Sequence, residues 1–316
     1  MKYLVAEHGF TSTLVCVDEY GMVTAAAVAD ALTPQTCLVS VMHSNNEVGT
    51  IMPIAEIAAT LRAAREPGAP PILFHSDTSQ SLGKVVVDVA ALGVDYATIT
   101  GHKLYAPKGI GALYAKPGNP PLRKLMVGAG HEGGRRAGTE STLLASGLGA
   151  ACAVAKASLA EANGGDGEGE GSGVGGGATA KLAYLRDRLE TRVIAGMGGA
   201  ASGKVRVNGH PTLRLPNTCS LSFRGCLAPQ LLRAVEHRVA CSAGAACHTA
   251  SMDGITNNDS GDDPRVSHVL RAMRVPLEYA RGTLRLSVGR FTTEAEVDEA
   301  ADLLVAAATK AFEQPI

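Results

Sequence analysis

The chain has 316 residues, 46% of them apolar, enough for about two domains with sizeable cores. Its net charge of −1 excludes the basic footprint of a nucleic-acid binder, and no apolar run reads as long enough to span a bilayer. Seven scattered cysteines, none in Cys-x-x-Cys spacing, exclude a disulfide scaffold and a zinc ribbon and point to a reducing, cytoplasmic compartment.

In chain order, the start MKYLVAEHGF lacks the apolar stretch and cleavage site of a secretory signal. Short apolar strands are then predicted at STLVCV, CLVSVMH, PILFHSD, DYATIT and IGALYA, with helices at TAAAVADAL and PIAEIAATLRAARE. The second helix carries Ile54, Ile57, Ala58 and Leu61 on one stripe, with Pro53 suited to its first turn. Strands this continuously apolar predict a mainly parallel sheet with helices on both faces. A helix from about Ser141 to Ala162 follows, then a glycine-rich stretch, Asn163 to Ala180, too polar to order itself. Helix resumes at KLAYLRDRLETRV. From about Lys204, the strands KVRVN, TCSLSF and TLRLSV mix with helices as in a smaller α+β domain. A second polar insertion covers Met252 to Asp263, and Thr293 with Glu296 forms a capping-box pattern for the last helix. Cys16, Cys37 and Cys152 read as core and Cys241 as a packed strand residue, while Cys219 and Cys226 carry no motif.

Two stretches suggest chemistry. In FHSDTSQSLGK, Asp77 and Gln80 lie just past the carboxyl end of a parallel strand, where open α/β sheets bind ligands. In TITGHKLYAPKG, Lys103 lies past the end of the next strand. A lysine amine can condense with an aldehyde, and a carboxylate can pair with a cationic ring nitrogen. Alone, Asp77 reads more readily as a helix cap or a solvated turn and His102 as a packed or surface histidine, while Arg285 reads equally as a carboxylate ligand or as a surface salt bridge or buried structural arginine.

HSNNEVGTIMPI, HSDTSQSLGK, TGHKLYAPKGIGALY, GGRRAGTES, CSAGAACHTAS and LRLSVGRFTTEAEVD occur in one order. Together they resemble the cysteine desulfurase and selenocysteine lyase family, within the class V aminotransferases. The resemblance implies a fold like aspartate aminotransferase: a pyridoxal phosphate-binding large domain at 1–162, the glycine-rich insertion at 163–180 and a smaller α+β domain at 181–316. It implies that Lys103 holds pyridoxal 5'-phosphate and shuttles the proton, Asp77 meets the ring nitrogen and Gln80 the ring hydroxyl. It makes Thr100 and His102 phosphate ligands, and makes Thr139 a donor to the phosphate of a second subunit in a homodimer. Asn46 and Arg285 are the implied carboxylate pair, the latter gripping with a two-pronged guanidinium, and Cys247 is the implied sulfur nucleophile, with His248 beside it.

The implied reaction removes sulfur or selenium from L-cysteine or L-selenocysteine, leaves L-alanine and passes the chalcogen to an acceptor, which can be a protein. Neither a membrane nor a nucleic acid takes part. In the family a further N-terminal segment, with a phosphate-cradling loop and a ring-stacking histidine, precedes the stretch matching AEHGFTSTLV. The expectation is that these 316 residues hold the cofactor weakly or not at all. A non-catalytic scaffold or sulfur carrier stays open as an alternative, as does another class V reaction such as transamination.

Overall fold

The computed structural model describes residues 2–65, 68, 70–160, 177–244 and 266–313. Helix α1 (Lys2–His8) and α2 (Ala25–Asp30) precede strand β1 (Leu38–Met42), and α3 (Ile54–Ala63) leads into β2 (Leu73–Asp77). Then come α4 (Val89–Leu92), β3 (Tyr96–Thr100) and β4 (Gly111–Ala115). The two long helices α5 (Thr142–Ala160) and α6 (Ala178–Gly196) follow. The rest is β5 (Val205–Asn208), β6 (Thr218–Phe223), α7 (Ala228–Val235), α8 (His268–Ala272), α9 (Leu277–Ala280), β7 (Thr283–Ser287) and α10 (Glu294–Glu313).

The first sheet has the order β1-β2-β3-β4, with β1 to β3 parallel and β4 antiparallel at the edge. One face is apolar. Val39, Val41, Phe74, Ala97 and Tyr114 pack there against Ile54, Ile57, Ala58 and Leu61 of α3, the stripe that the sequence predicts. Thr24 caps α2, its hydroxyl accepting from the Ala27 N–H at 3.1 Å. Pro53 stands one residue before the first turn of α3, as its N-cap.

The opposite face departs from expectation. Among the described residues no apolar cluster covers it. It presents Ser40, His75, Asp77 and Thr98, linked by Ser40 Oγ to His75 Nδ1 at 2.8 Å and His75 Nε2 to Thr98 Oγ1 at 2.9 Å. These residues alternate with the apolar ones, as the two-residue pleat requires.

The second sheet is antiparallel, β5-β6-β7, with β6 buried along its whole length. Cys219, Leu221 and Phe223 of β6, with Leu284 and Leu286 of β7, pack against Leu185, Leu189 and Val193 of α6, Leu231 of α7 and Leu304 of α10. The other face of β6 and β7 is polar: Thr218, Ser220 and Ser222 beside Ser287, Arg285 and Thr283. The start of α10 forms the expected reciprocal cap. The Thr293 N–H donates to Glu296 Oε2 at 2.8 Å, and the Glu296 N–H to Thr293 Oγ1 at 3.3 Å.

Several expectations fail. STLVCV forms no strand: among the described residues no strand pairs with it, and only Val15 and Val17 touch the first core. Cys16, Cys37 and Cys152 are exposed rather than core, and Cys241 is half-buried outside any strand; Cys219 and Cys226 are the buried pair among the described cysteines. Helix resumes at Ala178, inside the stretch expected to be unstructured, because Thr179 is buried and donates its hydroxyl to the Lys84 carbonyl at 3.1 Å. Finally, α5 is long and apolar enough, by length and composition, to cross a membrane. Alanine, glycine and leucine interspersed with serine disguise that run, and no residue of it is buried.

Candidate active site

The parallel strands end together, and the candidate residues follow from that. β2 stops at Asp77, whose Oδ1 accepts the Ser79 N–H at 2.9 Å and so tightens the turn that leads to Gln80. β3 stops at Thr100 and runs into a 3-10 turn, Gly101 to Lys103. Glycine is required at 101: a Cβ there would lie 2.8 Å from the Ile110 carbonyl oxygen, so any side chain would push the turn off β4. The two strand ends are joined by Ser79 Oγ and Thr100 Oγ1 at 2.7 Å.

The second sheet supplies the opposite wall. Arg285 of β7 donates from Nη1 to the Asn46 main-chain oxygen at 3.0 Å, across 239 positions of sequence. Asn46 lies in a tight loop after β1, held by Asn45 Oδ1, which accepts the N–H groups of Glu47 and Val48 at 2.8 and 3.0 Å. Buried Glu47 accepts from the Ser267 hydroxyl with one oxygen, and the other has no partner among the described residues.

Between these walls is a cavity of ≈ 330 Å³. Gln80, His102, Lys103, Asn46 and Arg285 all line it, so five of the sequence-predicted site residues share one space. Asp77 and Thr100 are not among the lining residues; they end the adjacent strands β2 and β3. Thr139 is exposed on a loop and is not part of the lining. Cys247 and His248 lie outside the described residues.

Seven lining residues escape the sequence reading as site residues: Lys84, Tyr105, Asn217, Thr218, Ser287, Val288 and Gly289. Lys84 closes the stretch that begins at His75, which is its only signal in the sequence. Tyr105 adopts a left-handed backbone (φ 69°) that side chains disfavour. Its hydroxyl accepts the Arg290 N–H at 3.0 Å, and its ring meets Phe291 edge-on.

The electrostatics follow burial. Desolvation, and secondarily the charge of Lys103, pulls Lys84 down to about 8. Burial pushes His43, under the strand ends, down to about 4 and keeps it neutral. His75 is also lowered by burial, partly offset by the Asp77 carboxylate. The lining therefore holds four basic side chains, Lys84, Lys103, His102 and Arg285, and no carboxylate. Such a cavity suits an anion.

The family model for class V aminotransferases matches residues 1–163, more than half of the chain. The chain belongs to the class V aminotransferase family. Within that family it is 36% identical over 299 residues to cysteine desulfurase 2 of Trichormus variabilis, covering 94% of this chain and 65% of the relative. It is 42% identical over 309 residues to the selenocysteine lyase of Bos taurus, covering 94% of this chain and 63% of the relative. The chain thus spans less than two thirds of either curated class V relative. Among solved structures, a NifS-like protein superposes with a TM-score of 0.76 at 26% identity, covering 98% of this chain and 71% of that one. DndA from Streptomyces lividans superposes with a TM-score of 0.61 at 30% identity, covering 90% and 69%. The fold is the α/β fold of the pyridoxal phosphate-dependent transferases.

Proposed function

We propose that the chain carries the active site of a lyase that takes sulfur or selenium from L-cysteine or L-selenocysteine and releases L-alanine. One observation carries this reading: Lys103, Gln80, Asn46 and Arg285, from four separate stretches, line one basic cavity. The similarity to cysteine desulfurases and selenocysteine lyases supports it.

The lining fits pyridoxal phosphate, because a phosphorylated aldehyde is anionic and needs an amine and basic hydrogen-bond donors, with an acid only at its ring nitrogen. When bound, this cofactor supplies an aldehyde for an amine and a ring that stores electrons released at the substrate's α-carbon. Lys103 would hold it through Nζ, Gln80 would donate to its ring oxygen, and Asp77 would face its ring nitrogen. His102 and Thr100 would hold its phosphate, with exposed Thr139 reaching the phosphate of a second copy in a homodimer.

Arg285 grips the substrate's carboxylate with parallel N–H donors, and the Asn46 side chain adds a further donor. That contact fixes the α-carbon relative to Lys103. The Lys103 Nζ, when not joined to the cofactor, would take the α-proton and later return a proton to the carbon skeleton. By motif position, Cys247 attacks the substrate's sulfur as a thiolate. The carbon–sulfur bond breaks, the sulfur stays on Cys247 as a persulfide for an acceptor, and the three-carbon fragment leaves as alanine.

The test is alanine release from each amino acid with added pyridoxal phosphate, alongside borohydride trapping of the cofactor on the protein. Lys103→Ala is expected to abolish both. Arg285→Lys is expected to lower kcat/KM about 10- to 100-fold, through loss of two-pronged binding worth about 1.5–3 kcal/mol. Trapping at lysines other than 103 would refute the assignment.

A further inference from the structure

Lys84 lines the cavity, and the proposed function gives it no task. Its backbone is fixed from both sides. The Lys84 N–H donates to the Ser81 carbonyl at 3.0 Å, and its own carbonyl accepts from buried Thr179 of α6 at 3.1 Å. From that fixed base the amine spans two segments. Nζ donates to the main-chain oxygen of Gln80 at 2.8 Å and to that of Lys103 at 3.3 Å. The first oxygen belongs to the loop after β2 and the second to the turn after β3.

Two other ties hold the start of that turn: the Gly101 N–H donates to the Ile110 carbonyl at 3.0 Å, and Thr100 is linked to Ser79. No side chain caps it, and its internal bonds are the N–H groups of Leu104 and Ala106 on the Gly101 carbonyl, at 3.0 and 3.1 Å. Hydrogen bonds from an ammonium to carbonyl oxygens are about twice as strong as neutral ones. A lysine also has a stem long enough to reach both oxygens and donors for each.

We propose that Lys84 is a positioning residue whose amine ties the Lys103 turn to the Gln80 loop, so that both side chains meet one ligand at a fixed separation. The ligand's identity rests on the proposed function, whereas the tie itself does not. Lys103 is the charged group that acts on Lys84, with His102 and Arg285 the other basic side chains on the cavity. Because burial and Lys103 bring Lys84 to about 8, the tie carries its full charge below that pH and weakens above it.

Amide hydrogen exchange of the full chain without cofactor tests the tie, comparing the native protein with Lys84→Met and Lys84→Arg. At pH 7 the Leu104 and Ala106 amides are expected to exchange about tenfold faster in Lys84→Met, with β6 unchanged. In the native chain their protection, corrected for intrinsic rates, falls as pH rises through about 8; in Lys84→Arg, whose charge persists, it does not. With pyridoxal phosphate as the probe, borohydride trapping at Lys103 falls about tenfold in Lys84→Met and recovers in Lys84→Arg, as a lost local constraint predicts.

Unchanged turn exchange in Lys84→Met would overturn the inference. So would exchange that rises equally in β6, which would mark a general structural role, or trapping that stays at the native level. If the native chain traps no cofactor at Lys103, the proposed function fails, and the exchange measurement still decides the tie.

Discussion

His43 is the residue whose burial has the clearest measurable consequence. It is 5% exposed, pairs through Nδ1 with Ser81 Oγ at 2.7 Å, and Ser81 pairs in turn with Ser44 at 2.5 Å. Between pH 6.5 and about 4 the unfolded chain binds a proton at this position and the folded chain does not. Stability therefore falls as pH drops through that window and is fully present above it. The loss amounts to about 3 kcal/mol by pH 4, at about 1.4 kcal/mol per pH unit. Unfolding curves between pH 4 and 7 are expected to show a shallower slope in His43→Gln than in the native chain. Equal slopes would mean that His43 titrates normally.

Among elements, α6 and α10 show how little of their packing is electrostatic. Arg188 meets Asp298 through two bonds of 2.7 Å each, but both side chains are partly exposed. Pairs of this kind contribute little. The apolar seam is different: Leu304 is fully buried among α6, α7 and β6. Leu304→Ala is expected to cost about 2–5 kcal/mol in denaturant unfolding, by removing buried methyl groups and leaving a cavity. A cost no larger than that of an exposed substitution would show that α10 is loosely docked. Helix α6, the start of α10 and the three strands of the second sheet were legible in sequence, from local apolar patterns and a capping box. STLVCV has the same apolar look, yet a strand exists only where another pairs with it.

On the scale of the whole molecule, the loop after β1 joins the two sheets. The Ile51 N–H donates to the Leu213 carbonyl at 2.9 Å, the Leu215 N–H to the Gly49 carbonyl at 2.8 Å, and the His210 N–H to the Thr50 hydroxyl at 3.0 Å. Gly49 has φ 78°, and a Cβ there would meet the Thr218 side chain at 3.1 Å. Gly49→Val is therefore expected to destabilise the chain by about 1–3 kcal/mol. It should also weaken pyridoxal phosphate binding, because the same loop carries Asn46 to Arg285. A variant with native stability and native binding would show that the loop does not set the cavity.

The sequence by itself supplied the candidate site residues, because side chains in ordered motifs can be recognised one at a time. It also determined most strands and helices, whose patterns are local. Tertiary structure alone decided which residues share a space. Arg285 reaches Asn46, and Lys84 reaches the Lys103 turn, only because two strand ends and a second sheet meet there. Burial was decided at that level too: Cys219 is enclosed while Cys16 and Cys152 face outward, although all three lie in apolar stretches. Enclosure depends on what packs from elsewhere in the chain, and no local pattern records it.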